Sequence, residues 1–199
     1  LIVGGAAFLT ACNDASTPAP AEEPAIVEDS ETTVVEAETP AKPEKADKVA
    51  CEFISAKGFC GVTLGMTADE AKLAHPDGLI AMDDTDETGA MSACYYMTPE
   101  EGNFDLGYMV VDGTVQRIDV RVPGLTFKNG AGVGMSADDV KALYPDAAVQ
   151  PDKYAPELEN ISTKLSGGAK AVFETGDDGI VSAYRVGMAP PVDYVEGCS

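Results

Sequence analysis

The sequence contains two copies of one segment, and this repeat restricts the possible folds more than any other feature. GVTLGMTADEAKLAHPD at positions 61–77 recurs as GAGVGMSADDVKALYPD at positions 130–146, which is 69 residues later. Self-similarity over tens of residues is typical of folds built from repeated supersecondary units. We therefore expect a domain with two similar halves, each containing this segment and the elements that follow it.

Each copy predicts a short α-helix. The shared motif G-M-[ST]-A-D-[DE] places Thr67 or Ser136 at the N-cap, with an acidic residue three positions later that can close a capping box. Acidic side chains in a first helical turn also interact favourably with the helix dipole. Both helices should end before Pro76 and Pro145, because a residue that precedes proline disfavours the α conformation.

Strand-like segments follow each predicted helix. Asp112-Gly113 is a strong signal for a two-residue hairpin turn, and Asp178-Gly179 lies near the corresponding position of the second copy. The predicted strands are 93–97, 106–111 and 115–122 in the first copy, and 161–165, 169–174 and 180–187 in the second. A short helical layer on an antiparallel sheet, present twice, predicts an α+β domain of two pseudo-repeats, at about 58–124 and 125–190.

The segment 115–122 alternates in character, as a half-buried strand does. Side chains alternate between the two faces of a strand. One predicted face carries Val115, Arg117, Asp119 and Arg121, and the other carries Gln116, Ile118, Val120 and Val122. The pattern predicts that one face of the sheet packs and that the other is largely exposed to water.

The N-terminal segment LIVGGAAFLTAC resembles the end of a bacterial lipoprotein signal peptide. An apolar run ends in small residues, and Leu9-Thr10-Ala11-Cys12 is similar to a lipobox, whose cysteine receives a lipid. We expect residues 1–11 to be a signal peptide, incomplete at its N-terminus, and Cys12 to be the lipidation site. The alternatives are a cleaved secretory signal and a membrane anchor, although the run is well short of the ~20 residues that cross a bilayer.

Residues 12–50 are predicted to tether a folded domain to a membrane. The lipoprotein resemblance implies two or three acyl chains, which suffice for stable anchoring. Asn13 stands where some inner-membrane lipoproteins have Asp, so we expect the outer membrane, facing the periplasm. The sequence from 13 to 49 is rich in Ala, Pro, Glu and Thr, and such a segment buries too little apolar surface to order itself. We expect an extended spacer that leads to a folded domain at 51–199.

The chain is strongly acidic, with a formal net charge of −21. A field of this sign repels nucleic acid and anionic lipid headgroups, so neither is expected as a direct partner. The charge suits a cationic partner or divalent ions, and it equally suits a solvated surface that resists aggregation.

Four cysteines remain if Cys12 carries the lipid. They are Cys51, Cys60, Cys94 and Cys198. An even number in an oxidising compartment predicts two disulfides, and three pairings are possible. We favour Cys51–Cys60 as a local loop and Cys94–Cys198 as a long-range link. A zinc site is poorly supported, because the sequence has no CxxC pair and a single histidine.

The repeated motif resembles that of two related groups of bacterial proteins. The G-M-[ST]-x-x-[DE]-V helix start and the hairpins are similar to those of tandem-repeat proteins like the β-lactamase inhibitor protein, and of small outer-membrane lipoproteins of the SmpA/OmlA (BamE) type. The similarity covers most of residues 58–188, with about ten specific positions per copy. The resemblance implies a binding or assembly module without catalysis, and it does not imply inhibition of β-lactamase.

The sequence contains none of the common catalytic motifs. It has no G-x-S-x-G elbow, H-E-x-x-H pair, phosphate loop or dinucleotide fingerprint. His75, the one histidine, occupies the position that Tyr144 has in the second copy, which favours a packing or helix-end role over general-base catalysis. We therefore expect a protein that is not an enzyme and has no cofactor.

Two groups of residues are candidate binding sites. Tyrosine is enriched at protein interfaces, although about half of the aromatic group should face the core. The aromatic candidates are Tyr95, Tyr96, Phe104 and Tyr108. A run of acidic residues offers oxygen ligands for calcium but lacks EF-hand spacing, which favours an exposed acidic loop. These weak metal candidates are Asp83, Asp84, Asp86 and Glu87.

The favoured function is that of a cell-envelope lipoprotein that binds another protein, such as an outer-membrane assembly component or a secreted enzyme. The expected partners are thus the membrane, reached through the lipid, and a protein of the envelope. The first alternative is a periplasmic module that binds a ligand or calcium through the acidic loop and the sheet face. A hydrolase of unknown type is the second alternative.

Overall fold

A computed structural model describes residues 51–82 and 92–198. Two α-helices and a large antiparallel sheet give this part of the chain the α+β class that the sequence predicts. The predicted signal peptide, the lipidation site Cys12 and the tether lie outside the described residues. So do the calcium candidates Asp83, Asp84, Asp86 and Glu87.

The helices and strands are short. The helices are α1 (Ala68–Ala74) and α2 (Ala137–Leu143). The strands are β1 (Gly58–Phe59), β2 (Val62–Thr63), β3 (Ile80–Ala81), β4 (Cys94–Thr98), β5 (Leu106–Val111), β6 (Thr114–Val120), β7 (Ala148–Pro151), β8 (Glu159–Lys164), β9 (Lys170–Thr175) and β10 (Val181–Gly187). Two 3-10 helices span Ser166–Gly168 and Pro191–Asp193.

Both α-helices begin and end where the sequence predicts. The Thr67 side chain accepts a hydrogen bond from the backbone N–H of Glu70, and the Glu70 carboxylate accepts one from the backbone N–H of Thr67 at 2.9 Å, which completes a capping box. The Ser136 side chain accepts from the backbone N–H of Asp139 in the same way. α1 and α2 each end two residues before a proline.

One sheet contains eight of the ten strands. Its order is β3-β4-β5-β6-β10-β9-β8-β7, and every neighbouring pair is antiparallel. β6 and β10 lie side by side at the centre of the sheet. From β6, the strands β5, β4 and β3 follow in turn towards one edge, and from β10 the strands β9, β8 and β7 follow towards the other. β6 and β10 therefore form the junction, with Ile118 opposite Val186 and Val120 opposite Tyr184. The edge strands β3 and β7 are absent from the sequence prediction.

A β-bulge changes the predicted alternation in β6. The register between β5 and β6 shifts within this strand, and an extra residue of this kind reverses the facing of the side chains that follow. Val115 consequently joins the core with Ile118 and Val120. Arg117 and Asp119 point to the opposite face. The prediction that Val115 shares a face with Arg117 is wrong for this reason.

The apolar core lies between the helices and one face of the large sheet. Its largest fully buried side chains are Tyr108, Tyr184 and Phe173. His75, at the end of α1, is buried and presents its ring edge-on to Tyr108, with the ring centres 5.8 Å apart. Tyr144, at the end of α2, stacks on Phe173 at 5.8 Å. His75 thus has the packing and helix-end position that the sequence predicts.

Two disulfides are present. They join Cys51 to Cys60 and Cys94 to Cys198, which is the pairing favoured from the sequence. The first closes a local loop, and the second links β4 to the far C-terminus across a separation of 104 residues. None of the helices in residues 51–82 and 92–198 is long and apolar enough to cross a bilayer.

Acid should destabilise the domain through His75. Burial lowers the pKa of His75 below its ordinary 6.5, although Asp77 opposes the shift. Between the folded and unfolded pKa values the unfolded chain binds a proton that the folded domain excludes, so stability is lost as the pH falls below 6.5. His75→Tyr, which installs the residue of the other copy, should remove this part of the pH dependence.

Urea unfolding at about pH 7.5 and about pH 5.5 measures the effect. The compared quantity is the change in unfolding free energy between the two pH values, so an offset from the substitution itself cancels. An identical change in the wild type and in His75→Tyr would contradict the assignment.

Candidate functional site

The C-terminal segment covers the centre of the sheet face opposite the helices. Residues 188–198, which follow β10, are named the C-terminal strap here. The 3-10 helix of the strap contacts β6, β9 and β10, and the strap ends in the disulfide between Cys198 and Cys94 of β4. The prediction that this face is largely exposed to water is therefore wrong at its central strands, where Arg117 and Asp119 are 3% and 6% exposed.

Arg117 fastens the strap to the sheet. Its guanidinium donates to both carboxylate oxygens of Asp119, at 2.6 to 3.0 Å. It also donates to the backbone carbonyls of Pro191 at 3.0 Å and Tyr194 at 2.6 Å, and to the hydroxyl of Tyr96 at 3.1 Å. Each of the three guanidinium nitrogens thus has a partner. These two carbonyl groups of the strap accept hydrogen bonds from Arg117 in place of the backbone N–H groups that a neighbouring strand would offer.

Arg185 holds the strap from the neighbouring strand. Its Nε donates to the backbone carbonyl of Val192 at 2.7 Å, and its guanidinium forms an ion pair with Glu174 of β9. The side chain is buried, and this burial lowers the pKa of Arg185, with a further contribution from the positive charge of Arg117. The two buried arginines therefore each have one carboxylate partner and at least one strap carbonyl.

A cavity of about 360 Å³ lies between the strap and the sheet. Arg117, Arg121 and Arg185 line it, together with the rings of Tyr96 and Phe104. The two rings meet edge-to-face with their centres 4.6 Å apart. The guanidinium carbon of Arg121 lies 5.1 Å from the centre of the Phe104 ring, which is a cation–π geometry.

Two glycines make room for Tyr96. A Cβ atom at Gly107 would come within 3.1 Å of the Tyr96 ring and 3.2 Å of the Phe104 ring. At Gly197 of the strap it would come within 3.0 Å of the Tyr96 hydroxyl, and the φ of 72° there also disfavours other residues. The aromatic pair and the strap can therefore approach as closely as they do only with glycine at both positions.

The four aromatic residues predicted to form a partner-binding surface do not lie on one surface. Tyr108 is fully buried, and its hydroxyl donates to the backbone carbonyl of Phe59 at 3.4 Å. Tyr95 packs against the helix-side core, whereas Tyr96 and Phe104 line the cavity on the other face. Adjacent residues of a strand point to opposite faces, so Tyr95 and Tyr96 cannot share a surface. Burial raises the pKa of the Tyr96 and Tyr108 hydroxyls.

The sheet ends on each side in an exposed edge strand. Ile80 in β3 and Val149 in β7 are 47% and 43% exposed. All four residues of β7 are exposed, and β8 is its one strand partner within the described residues. A free edge of this kind presents backbone N–H and C=O groups that can pair with another chain. β7 and the adjoining exposed Tyr154 are named the β7 edge here.

A groove of about 620 Å³ lies beside the start of β7, where Ala148 lines it. Its apolar part comes from the end of α2 and the start of β7, namely Leu143, Tyr144, Pro145 and Ala148. Its polar part comes from the β8–β9 hairpin and includes Lys164 and Lys170. An open strand edge beside a partly apolar groove is the arrangement by which many domains hold an extended peptide.

Within residues 51–82 and 92–198, no group of three or more His, Cys, Asp or Glu side chains is arranged to hold a metal ion.

The anchoring role of Arg117 and Arg185 is absent from the predictions made from the sequence. The available signal was composition, because the chain has only three arginines and these two lie in the predicted strands 115–122 and 180–187.

The chain was compared with known proteins at the level of families, sequences and structures. No family model, curated protein or solved structure matches it. The resemblance to the β-lactamase inhibitor protein and to BamE-type lipoproteins therefore rests on the repeated motif and the hairpins.

Loss of Arg117 should destabilise the domain strongly. Arg117→Met leaves the Asp119 carboxylate buried without its cation, which typically costs roughly 3–5 kcal/mol of unfolding free energy. Arg117→Met combined with Asp119→Leu removes the uncompensated charge and should recover part of the loss. Urea unfolding measures the free energy of unfolding of the wild type, the single variant and the double variant.

Lys128→Met is the matched control, because Lys128 is exposed and surface substitutions usually change stability by less than about 0.5 kcal/mol. A double variant as unstable as Arg117→Met, or a single variant as stable as the control, would show that the buried pair does not have this role.

Proposed function

We propose that this protein is a cell-envelope lipoprotein whose folded domain binds another protein and catalyses no reaction. The observation that carries the proposal is the β7 edge with its adjoining groove. Proteins usually blunt or cover a sheet edge, because an open edge recruits other strands. β7 ends in Pro151, which has no N–H to donate, so a partner strand would pair with residues 148–150, beside a groove containing Leu143 and Tyr144.

The partner is proposed to add an extended segment along β7. Backbone hydrogen bonds would supply general affinity, and side chains of the partner that enter the groove would supply specificity. Val149 and Tyr154, which are 43% and 65% exposed, would be covered in the complex. The net charge of −21 would favour encounter with a partner whose surface is basic.

We also propose that the two halves of the domain are diverged copies of one unit. The strand order is symmetric about the β6–β10 junction. The ring contact of His75 with Tyr108 has a counterpart in that of Tyr144 with Phe173. Ile80 and Val149 are 69 residues apart, which is the spacing of the repeated motif. These correspondences support the resemblance to tandem-repeat binding proteins.

The histidine and the four cysteines of the domain have structural partners, which supports binding over catalysis by these side chains. His75 is 5% exposed and packs against Tyr108. Cys51, Cys60, Cys94 and Cys198 are oxidised to disulfides. The calcium-binding and hydrolase alternatives gain no support from the described residues.

We further propose that Cys12 carries the lipid and that residues 12–50 hold the domain away from the membrane, on the periplasmic side of the outer membrane. The two disulfides fit an oxidising compartment outside the cytoplasm. The lipobox-like LTAC sequence supports the site of attachment.

Lipidation predicts a defined mature N-terminus. Mass spectrometry of the native protein should find Cys12 as the first residue, with acyl groups attached, because cleavage follows lipid transfer in this class. Cys12→Ser should leave the membrane fraction, because a chain without acyl groups loses the buried CH₂ groups that hold it there. A bare thiol at Cys12, or residues 1–11 still attached, would overturn the proposal.

Partner binding should depend on the β7 edge. The full chain is cross-linked in native envelopes and purified, and the recovered proteins are quantified by mass spectrometry. Val149→Glu places a charge on β7 and should abolish recovery of at least one envelope protein that the wild type enriches, because a buried unpaired charge disfavours strand addition.

Ile80→Glu is the matched control, because Ile80 is similarly exposed on the opposite edge strand. It should recover the same protein as the wild type. The proposal fails if the wild type enriches no envelope protein, or if Val149→Glu and the wild type enrich the same proteins equally.

A further inference from the structure

Every arginine of the chain lies at one cavity. The sequence contains three arginines, Arg117, Arg121 and Arg185, and all three line the space of about 360 Å³ between the C-terminal strap and the sheet. Three carboxylates, those of Asp119, Glu174 and Glu196, line the same space. The lining is therefore balanced in charge, although the chain as a whole has a net charge of −21.

The carboxylates around the cavity already have cationic partners. Asp119 binds Arg117, and Glu174 binds Arg185. Glu196 forms an ion pair with Lys153 at 2.7 Å. Arg121 forms no ion pair with a carboxylate of the part of the chain that the structure describes. The cation that remains for a ligand is therefore Arg121.

The aromatic pair holds Arg121 in a defined place. Its guanidinium lies over Phe104, and Phe104 is itself fixed by its edge-to-face contact with Tyr96 at 4.6 Å. Stacking on a ring engages the flat face of a guanidinium and leaves the N–H groups at its rim free to donate. Gly107 provides the space for the two rings, which would otherwise be displaced by a Cβ atom.

We propose that this cavity binds a small oxyanion, with the acid group on Arg121 and the apolar part of the ligand against the aromatic pair. The guanidinium fork matches the paired oxygens of a carboxylate or a phosphate, and such hydrogen bonds are about twice as strong as neutral ones. A cavity of about 360 Å³ is within the range of small-molecule sites. Arg117 and Arg185, each paired with a carboxylate, hold the strap below this position.

The oxyanion site is independent of the proposed protein-binding function. It shares no lining residue with the groove beside β7. Either proposal can therefore fail without the other.

The test is an NMR titration of the disulfide-bonded full chain with three probes: sodium benzoate, inorganic phosphate and benzamide. Because the chain has only three arginines, their Nε–H resonances can be assigned and followed individually. Benzoate, phosphate or both should shift the Arg121 Nε–H resonance in a saturable way. Benzamide, which has the shape of benzoate without its charge, should not. Response to one acid but not the other identifies the class of oxyanion.

Arg121→Gln should weaken the binding by about tenfold or more, since it removes a charged hydrogen-bond donor. The variant should fold, because Arg121 is exposed. Lys128→Gln removes an exposed charge elsewhere and should bind as the wild type does. The proposal is overturned if neither acid gives saturable shifts, if benzamide binds as well as benzoate, or if Arg121→Gln binds with unchanged affinity.

Discussion

The buried ion pair of Arg117 and Asp119 joins the centre of the sheet to the C-terminal strap. Removing two charges from water is costly, and a buried pair is tolerated only when its remaining donors and acceptors are satisfied. Here the guanidinium reaches the carbonyls of Pro191 and Tyr194 as well as Asp119. The pair lies two residues apart in one strand, so its geometry is set by β6 itself. The strap is thereby held by a side chain of the central strand β6.

The two faces of the sheet are built by different means. On the helix side, each half contributes a capped helix and a buried aromatic ring, and the core is continuous and apolar. On the strap side, a single segment crosses β6, β9 and β10 and meets buried charged side chains. Within the described residues this covering segment occurs once, after β10. This face therefore lacks the symmetry of the strand order, and the cavity lined by the three arginines lies on it.

A cavity held in place by several side chains suits a protein that captures other molecules. The Cys94–Cys198 disulfide and the two buried arginines hold the strap, and these contacts restrict changes in the shape of the cavity. Preorganisation of this kind lowers the entropic cost of binding. The β7 edge, with its exposed residues and groove, is a surface of a different type, suited to an extended chain. Protein binding and oxyanion binding would thus use separate parts of one scaffold.

The sequence by itself determined the elements that depend on neighbouring residues: both helix caps, the helix ends before Pro76 and Pro145, the hairpin at Asp112-Gly113 and the α+β class. It did not reveal β3 or β7, because strands of two and four residues carry too little alternation to be recognised. Only the tertiary structure decided that Arg117 is buried and that Val115 faces the core. Burial of Arg117 requires a segment 74 residues further along the chain, and the bulge is defined by pairing with another strand. Such contacts are set by how the whole chain packs, which local patterns do not encode.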